Sequence, residues 1–154
     1  MLPLGFFIFP LLTILLLKHS NNKSFFNLFF IGFCFGFGFL LLYLSWIYNP
    51  FLVFNSTKPF AFLAILLPAF LSFFFGISFL LYKFTRNFLN TILITPFVFV
   101  FTEFLISNFF YGFPWMTNSL ILSNNLFGFY LIQYSGTLTS GFLIILIFLI
   151  PALF

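Results

Sequence analysis

The sequence has very little charge. Five Lys and Arg residues, one acidic residue and one His stand among 154 residues, so that charged residues make up 4% of the chain. A soluble domain carries about a quarter of its residues as charged side chains, which excludes a water-soluble fold. Nucleic-acid binding is also excluded, because it requires Lys and Arg clustered on a polar face, and the basic residues here are scattered.

Cysteine is almost absent. Cys34 stands alone, so the chain can form no intrachain disulfide and no Cys-based metal site. In an apolar helix a thiol behaves as a small hydrophobic group. We therefore expect a structural role for Cys34, and we expect neither a metal nor a cofactor.

Apolar residues are abundant. Hydrophobic residues make up 64% of the chain and the mean hydropathy is +1.28. A bilayer core of about 30 Å requires roughly 20 apolar residues in a helix. The sequence therefore predicts an all-α integral membrane protein, with one transmembrane domain over residues 1–154 and a bundle of about five helices. The predicted spans are 2–17, 25–48, 60–82, 88–108 and 128–152.

The basic residues predict the orientation of these spans. Lys18 and Lys23 follow the first span, and Lys83 and Arg86 follow the third, whereas the connector after the second span has only Lys58. The side richer in Lys and Arg faces the cytoplasm. We expect the amino terminus and the connector after the fourth span to lie outside.

Small residues predict how the helices pack. The second span contains "GFCFGFGF", with Gly32 and Gly36 four residues apart and Gly38 following. Small residues at this spacing let helices approach closely in lipid, although chance in a Gly-containing chain would also place them there. Pro68 lies in the middle of the third span and is expected to kink it.

Glu103 is the only acidic residue, and it lies inside the fourth span. It is about 15 residues into that span, or about 22 Å along a helix, in the outer half of the membrane. A carboxylate at the bilayer centre costs about 2.5–3.5 kcal/mol on insertion scales, so it should face the bundle or a wet cavity. Thr102 and Asn108 are the nearest hydrogen-bonding candidates. Glu103 is either a functional group or a structural hydrogen-bonding post.

An aromatic segment follows the fourth span. Gly112 relaxes the backbone, Pro114 blocks continuation of the helix, and Trp115 favours the lipid headgroup level. Together with Phe113 these residues predict a re-entrant or interfacial loop on the outer face. Such a loop would hold lipid chains against an aromatic shelf.

Two stretches resemble a known family. "TEFLISNFFYGFPW" closely resembles a segment of bacterial apolipoprotein N-acyltransferases, and "FIGFCFGFGFLLLYLSWIY", which includes Trp46, resembles a second segment at the matching distance. Residues 136–143 resemble the start of the family's next membrane helix, so that the resemblance spans most of residues 25–150. The chain departs from the family at Ile106, where relatives usually have Arg. A Glu–Arg pair is therefore not expected here.

The resemblance implies a fold and a reaction. Family members have eight membrane helices and, between the last two, a periplasmic nitrilase-like domain with a Glu-Lys-Cys triad. The thiolate takes an acyl chain from a phospholipid and passes it to the amino group of a lipoprotein's diacylglyceryl-cysteine. The implied partners are the phospholipid donor, the diacylated lipoprotein and membrane lipids. The implied location is the bacterial inner membrane, with the Gly112–Trp115 loop in the periplasm.

The five spans resemble helices two to six of the family. None of the triad residues is expected in this chain, because Cys34 lies in the wrong element and Glu103 is not the nitrilase glutamate. The chain is thus expected to be a fragment that supplies a membrane scaffold and lipid access and is inactive alone. The alternative is a non-catalytic multi-spanning protein, such as a transporter component or an assembly scaffold. A nitrilase reading frame downstream of residue 154 would distinguish the two.

Overall fold

The computed structural model describes residues 15, 24–85, 87–109 and 117–150. Throughout these ranges the regular structure is helical, with no strand. Lipid offers no hydrogen bonds to the backbone, and a helix satisfies its N–H and C=O groups internally. The α-helices are α1 (Phe25–Tyr43), α2 (Tyr48–Val53), α3 (Leu66–Phe79), α4 (Phe88–Phe109), α5 (Leu126–Ser135) and α6 (Thr137–Phe148). Short 3-10 helices cover Ser45–Ile47, Lys58–Ile65, Leu80–Phe84 and Asn118–Asn124.

Three helical segments among the described residues are long and apolar enough to cross a membrane. They are Phe25–Tyr43, Lys58–Phe84 and Leu89–Phe109, with 19, 27 and 21 residues. These segments correspond to the predicted spans 25–48, 60–82 and 88–108. The first predicted span, 2–17, lies outside the described residues except for Leu15.

The chain forms two compact units. One unit is Phe25–Leu80, and the other is Leu81–Phe154 together with Met1–Ser24. In the 25–80 unit α1 packs against α3. A methyl group placed on Gly32 would lie 2.6 Å from Cβ of Phe79, and one on Gly36 would lie 2.6 Å from Cβ of Phe75. No real Cβ comes that close. The absence of side chains at these two glycines therefore lets the Phe side chains of α3 sit directly on the α1 backbone.

Gly38 does not share this contact face, and Trp46 lies on the 3-10 helix that follows α1. Gly38 has nothing within 4 Å of where a Cβ would lie, and Trp46 is 55% exposed. At 3.6 residues per turn, Gly38 is about 200° around the helix from Gly36, and so it faces away from α3. Only the glycines four residues apart share the contact face.

Pro68 occupies a different position from the one predicted. It is mid-span in sequence, but it lies in the first turn of α3, just after the 3-10 helix Lys58–Ile65 ends. Proline is tolerated in the first turn of a helix. Pro68 thus lies next to the point where the 3-10 helix changes to an α-helix.

The 81–154 unit is built around α4. Pro96 lies inside this helix and leaves the carbonyl of Ile92 without its usual N–H donor. The ring of Phe97 contacts that of Phe142 on α6 edge-on, with centroids 4.7 Å apart. Near the start of α4, Tyr82 donates a hydrogen bond to Oγ1 of Thr95 over 2.9 Å, and both side chains are buried.

The fifth predicted span, 128–152, is two helices in the structure. Helix α5 ends at Ser135 and α6 begins at Thr137, with Gly136 between them at φ 80° and ψ 167°. Side chains rarely adopt that backbone conformation, whereas glycine does so readily.

Candidate functional site

Glu103 is buried in the 81–154 unit. It lies six residues before the end of α4, and its side chain is 4% exposed. Its Oε2 accepts two hydrogen bonds from Asn118, one from the backbone N–H over 3.2 Å and one from Nδ2 over 3.0 Å. Among the described residues, Asn118 therefore supplies both of the donors to the carboxylate.

Asn118 reaches Glu103 because it begins a helical segment. The first residues of a helix have N–H groups without partners inside the helix, and Asn118 is the first residue of the 3-10 helix Asn118–Asn124. The Glu103 carboxylate accepts that N–H and so caps the segment. This contact fixes the end of α4 to the chain 15 residues further on.

The hydrogen-bonding candidates predicted from the sequence are occupied elsewhere. Thr102 donates to the carbonyl of Val98, and Asn108 donates through Nδ2 to the carbonyl of Phe104. Both bonds close within α4, as is common for short polar side chains in helices. Neither residue donates to Glu103, and the partner is Asn118 on another element. The sequence signal for Asn118 was only that it lies in a polar stretch.

A cavity of about 530 Å³ lies beside Glu103. Its described lining includes five residues with polar side chains, namely Glu103, Ser107, Asn108, Thr117 and Thr137. Phe104, Leu120 and Leu138 contribute apolar surface. The cavity thus brings hydroxyl, amide and carboxylate groups from α4, the start of α6 and the segment around Thr117 to one place.

The second carboxylate oxygen, Oε1, accepts no hydrogen bond from a described residue. Ile106, one turn further along α4, is apolar and 1% exposed, so this position offers no cation to the acid. An ionised carboxylate has about four acceptor positions. The site can therefore accept further hydrogen bonds from a group in the cavity.

Gly141 on α6 lies against the Glu103–Asn118 pair. A methyl group placed on it would be 3.5 Å from Cβ of Asn118 and 3.7 Å from Oε2 of Glu103. These are ordinary van der Waals distances. Nearby Ser119 is fully buried, and its Oγ has no hydrogen-bond partner among the described residues.

The other predicted site residues are not part of this described cluster. Gly112, Phe113, Pro114 and Trp115 lie outside the described residues, in the segment 110–116 that connects the end of α4 to Thr117. Cys34 is exposed on α1, a helix that contains no acidic or basic residue. Nothing on α1 can therefore activate its thiol.

Comparison with known proteins gives a family match. Residues 1–150 match the family model described as the apolipoprotein N-acyltransferase N-terminal domain. Searches of curated proteins and of solved structures return no match. The family match covers nearly the whole chain, including α4, Asn118 and the junction at Gly136. The chain therefore belongs to the family of apolipoprotein N-acyltransferase N-terminal domains.

Proposed function

We propose that this chain serves as the membrane part of an apolipoprotein N-acyltransferase. In the proposed reaction an acyl chain passes from a phospholipid to the amino group of the diacylglyceryl-cysteine at a lipoprotein's amino terminus. The single observation that carries the proposal is the family match over residues 1–150. The three candidate membrane spans support it, because this reaction uses substrates that reside in the membrane.

The proposed contribution of these residues is scaffold and lipid access, without a catalytic residue. The glycine–phenylalanine contacts between α1 and α3 give the 25–80 unit a close-packed core. Cysteine catalysis requires a thiol activated by a neighbouring base, and Cys34 stands on a helix without charged residues. We therefore assign the acyl-transfer chemistry to residues other than these 154.

The proposed lipid route runs along residues 110–116. These residues connect two parts of the cavity lining, since Asn108 precedes them and Thr117 follows them. Phe113 and Trp115 would guide an acyl chain at the outer end of α4, and Gly112 and Pro114 would shape the turn. The location proposed for this route is the periplasmic side of the bacterial inner membrane.

A chimera tests the proposal. Residues 1–154 would replace the corresponding segment of a full-length family member in a strain depleted of its own enzyme. We expect the lipoproteins to regain the third acyl chain, as measured by mass spectrometry of their amino-terminal peptides. The chain alone, with or without Cys34→Ser, should give no N-acylation. A chimera that inserts in the membrane at normal level yet leaves the lipoproteins diacylated would contradict the proposal.

Trp115→Ala in the same chimera tests the lipid route. If the ring positions an acyl chain, transfer should fall by up to about a hundredfold, because a lost orientation slows a reaction whose chemistry is intact. The protein level is held constant by immunoblot, and Trp46→Ala serves as the matched control, since Trp46 is exposed on another element. Equal activity of Trp115→Ala and the parent chimera would remove Trp115 from the route.

A further inference from the structure

The Glu103 cavity contains a carboxylate oxygen that accepts no hydrogen bond from the described residues. The side chain is 4% exposed, Asn118 satisfies Oε2, and Oε1 accepts no hydrogen bond from the described residues. Glu103 also lines the cavity. An unpaired buried charge is unfavourable unless a partner or a proton compensates it. The cavity side of Glu103 is thus suited to a ligand that brings a positive charge or N–H donors.

The rest of the polar lining offers acceptors as well. Nδ2 of Asn108 is used within α4, which leaves its Oδ1 available as an acceptor. The hydroxyls of Thr117 and Thr137 also line the cavity, and a hydroxyl oxygen can accept hydrogen bonds. The described lining contains no Lys, Arg or His. A ligand that donates several hydrogen bonds from one atom would match this set of acceptors.

We propose that this cavity binds a primary ammonium group, with one N–H donated to Oε1 of Glu103 and the others to neighbouring oxygens. A primary ammonium has three donors and no acceptor, and it is the cation that the lining fits best. In the described lining a phosphate or carboxylate would meet a carboxylate and no cation. A quaternary ammonium of the choline type has no N–H to donate. At about 530 Å³ the cavity is large enough for the group that carries the ammonium, since a water molecule takes up only about 30 Å³.

Two molecules at a bacterial membrane present this chemistry. One is a phospholipid with an ethanolamine headgroup, and the other is a diacylglyceryl-cysteine with its free α-amino group. The assignment of the second molecule rests on the proposed function, whereas binding of a primary ammonium rests on the cavity alone.

Binding of matched lipids to the purified full chain in phosphatidylcholine nanodiscs tests the proposal. The probes are fluorescent phosphatidylethanolamine against its N,N,N-trimethylated counterpart, and a diacylglyceryl-cysteinyl peptide against its N-acetylated form. We expect at least one free amine to bind about tenfold more tightly than its blocked partner, because charge-assisted hydrogen bonds are the stronger class. Preference confined to the lipid pair identifies the headgroup, and preference confined to the peptide pair identifies the α-amino group.

Two variants locate the binding. Glu103→Gln should abolish the amine preference while keeping an oxygen for Asn118. Ser107→Leu should weaken it by placing a larger apolar side chain in the lining one turn from Glu103, without touching the Glu103–Asn118 hydrogen bonds, and it remains informative if Glu103→Gln does not fold. Ser123→Leu is the control, since Ser123 is exposed and lies outside the lining. Equal binding of free and blocked amines, or a preference that is unchanged in Ser107→Leu, would overturn the proposal. Because no acyl transfer is measured, the result is independent of the chimera test.

Discussion

At the scale of single residues, the molecule shows how one acid is accommodated in a candidate membrane span. Glu103 stands on a candidate span, and two donors from Asn118 replace part of the water that its carboxylate would otherwise bind. The contact also gives the first N–H of the Asn118–Asn124 helix a partner. The pair thus stabilises both the acid and the chain segment that follows α4.

The Glu103–Asn118 contact predicts different effects for two substitutions. Glu103→Gln keeps a side-chain oxygen that accepts from Asn118, and its thermal unfolding midpoint in detergent should stay close to that of the parent. Glu103→Ala leaves two buried donors unpaired, and each such group costs about 1–3 kcal/mol. We expect a clearly lowered midpoint for the Ala variant.

Asn108→Ala is the matched control for this pair. Asn108 is exposed and donates only to the carbonyl of Phe104 in its own helix, so its removal should have little effect on unfolding. A midpoint for Glu103→Ala that equals that of Asn108→Ala would show that the contact does not stabilise the fold.

At the scale of helices, the packing of the 25–80 unit depends on two glycines that lie on the same face of α1. Gly32 and Gly36 are one turn apart, and both lie against Phe side chains of α3. In lipid, close packing rather than burial from water holds helices together. The two glycines therefore stabilise the helix pair because they leave room for the Phe side chains of α3.

Alanine substitution at the three glycines of α1 tests this packing. Gly32→Ala and Gly36→Ala each place a methyl group 2.6 Å from a Phe Cβ. Overpacking of this kind costs about 1–3 kcal/mol, and we expect a lowered unfolding midpoint for both variants. Gly38→Ala is the control, because it adds a methyl group where nothing lies within 4 Å. A loss at Gly38 as large as that at Gly32 would contradict the α1–α3 contact.

Much of the helical organisation could be predicted from the sequence. The length of an apolar run determines whether it can cross a bilayer, and the runs at 25–48, 60–82 and 88–108 agree with the candidate spans of the structure. The break between α5 and α6 was not predicted, because the apolar pattern continues through Gly136 and a glycine inside such a run is common. The positive φ of Gly136 is a property of the backbone that hydropathy does not encode.

At the scale of the whole molecule, the candidate site is assembled from segments that are distant in sequence. The sequence identified Glu103 as a lone acid but not its partner, because Asn118 lies 15 residues away on a different element. A hydrogen bond between two elements depends on how those elements pack, and the hydrophobic periodicity of one helix contains no information about that packing. The cavity was not predicted for the same reason. The family, in contrast, was recognisable from two short motifs, and the match over residues 1–150 confirms it.

The proposed function requires the Glu103 cavity to face the periplasm, and cysteine labelling tests this requirement most directly. Cys34→Ser removes the only cysteine, after which Ser123→Cys and Lys83→Cys each supply one exposed thiol. Intact spheroplasts are treated with a membrane-impermeant maleimide, and lysed spheroplasts show that both thiols can react. We predict labelling of Ser123→Cys and no labelling of Lys83→Cys before lysis. Labelling of Lys83→Cys alone would place the cavity on the cytoplasmic side and contradict the proposed function.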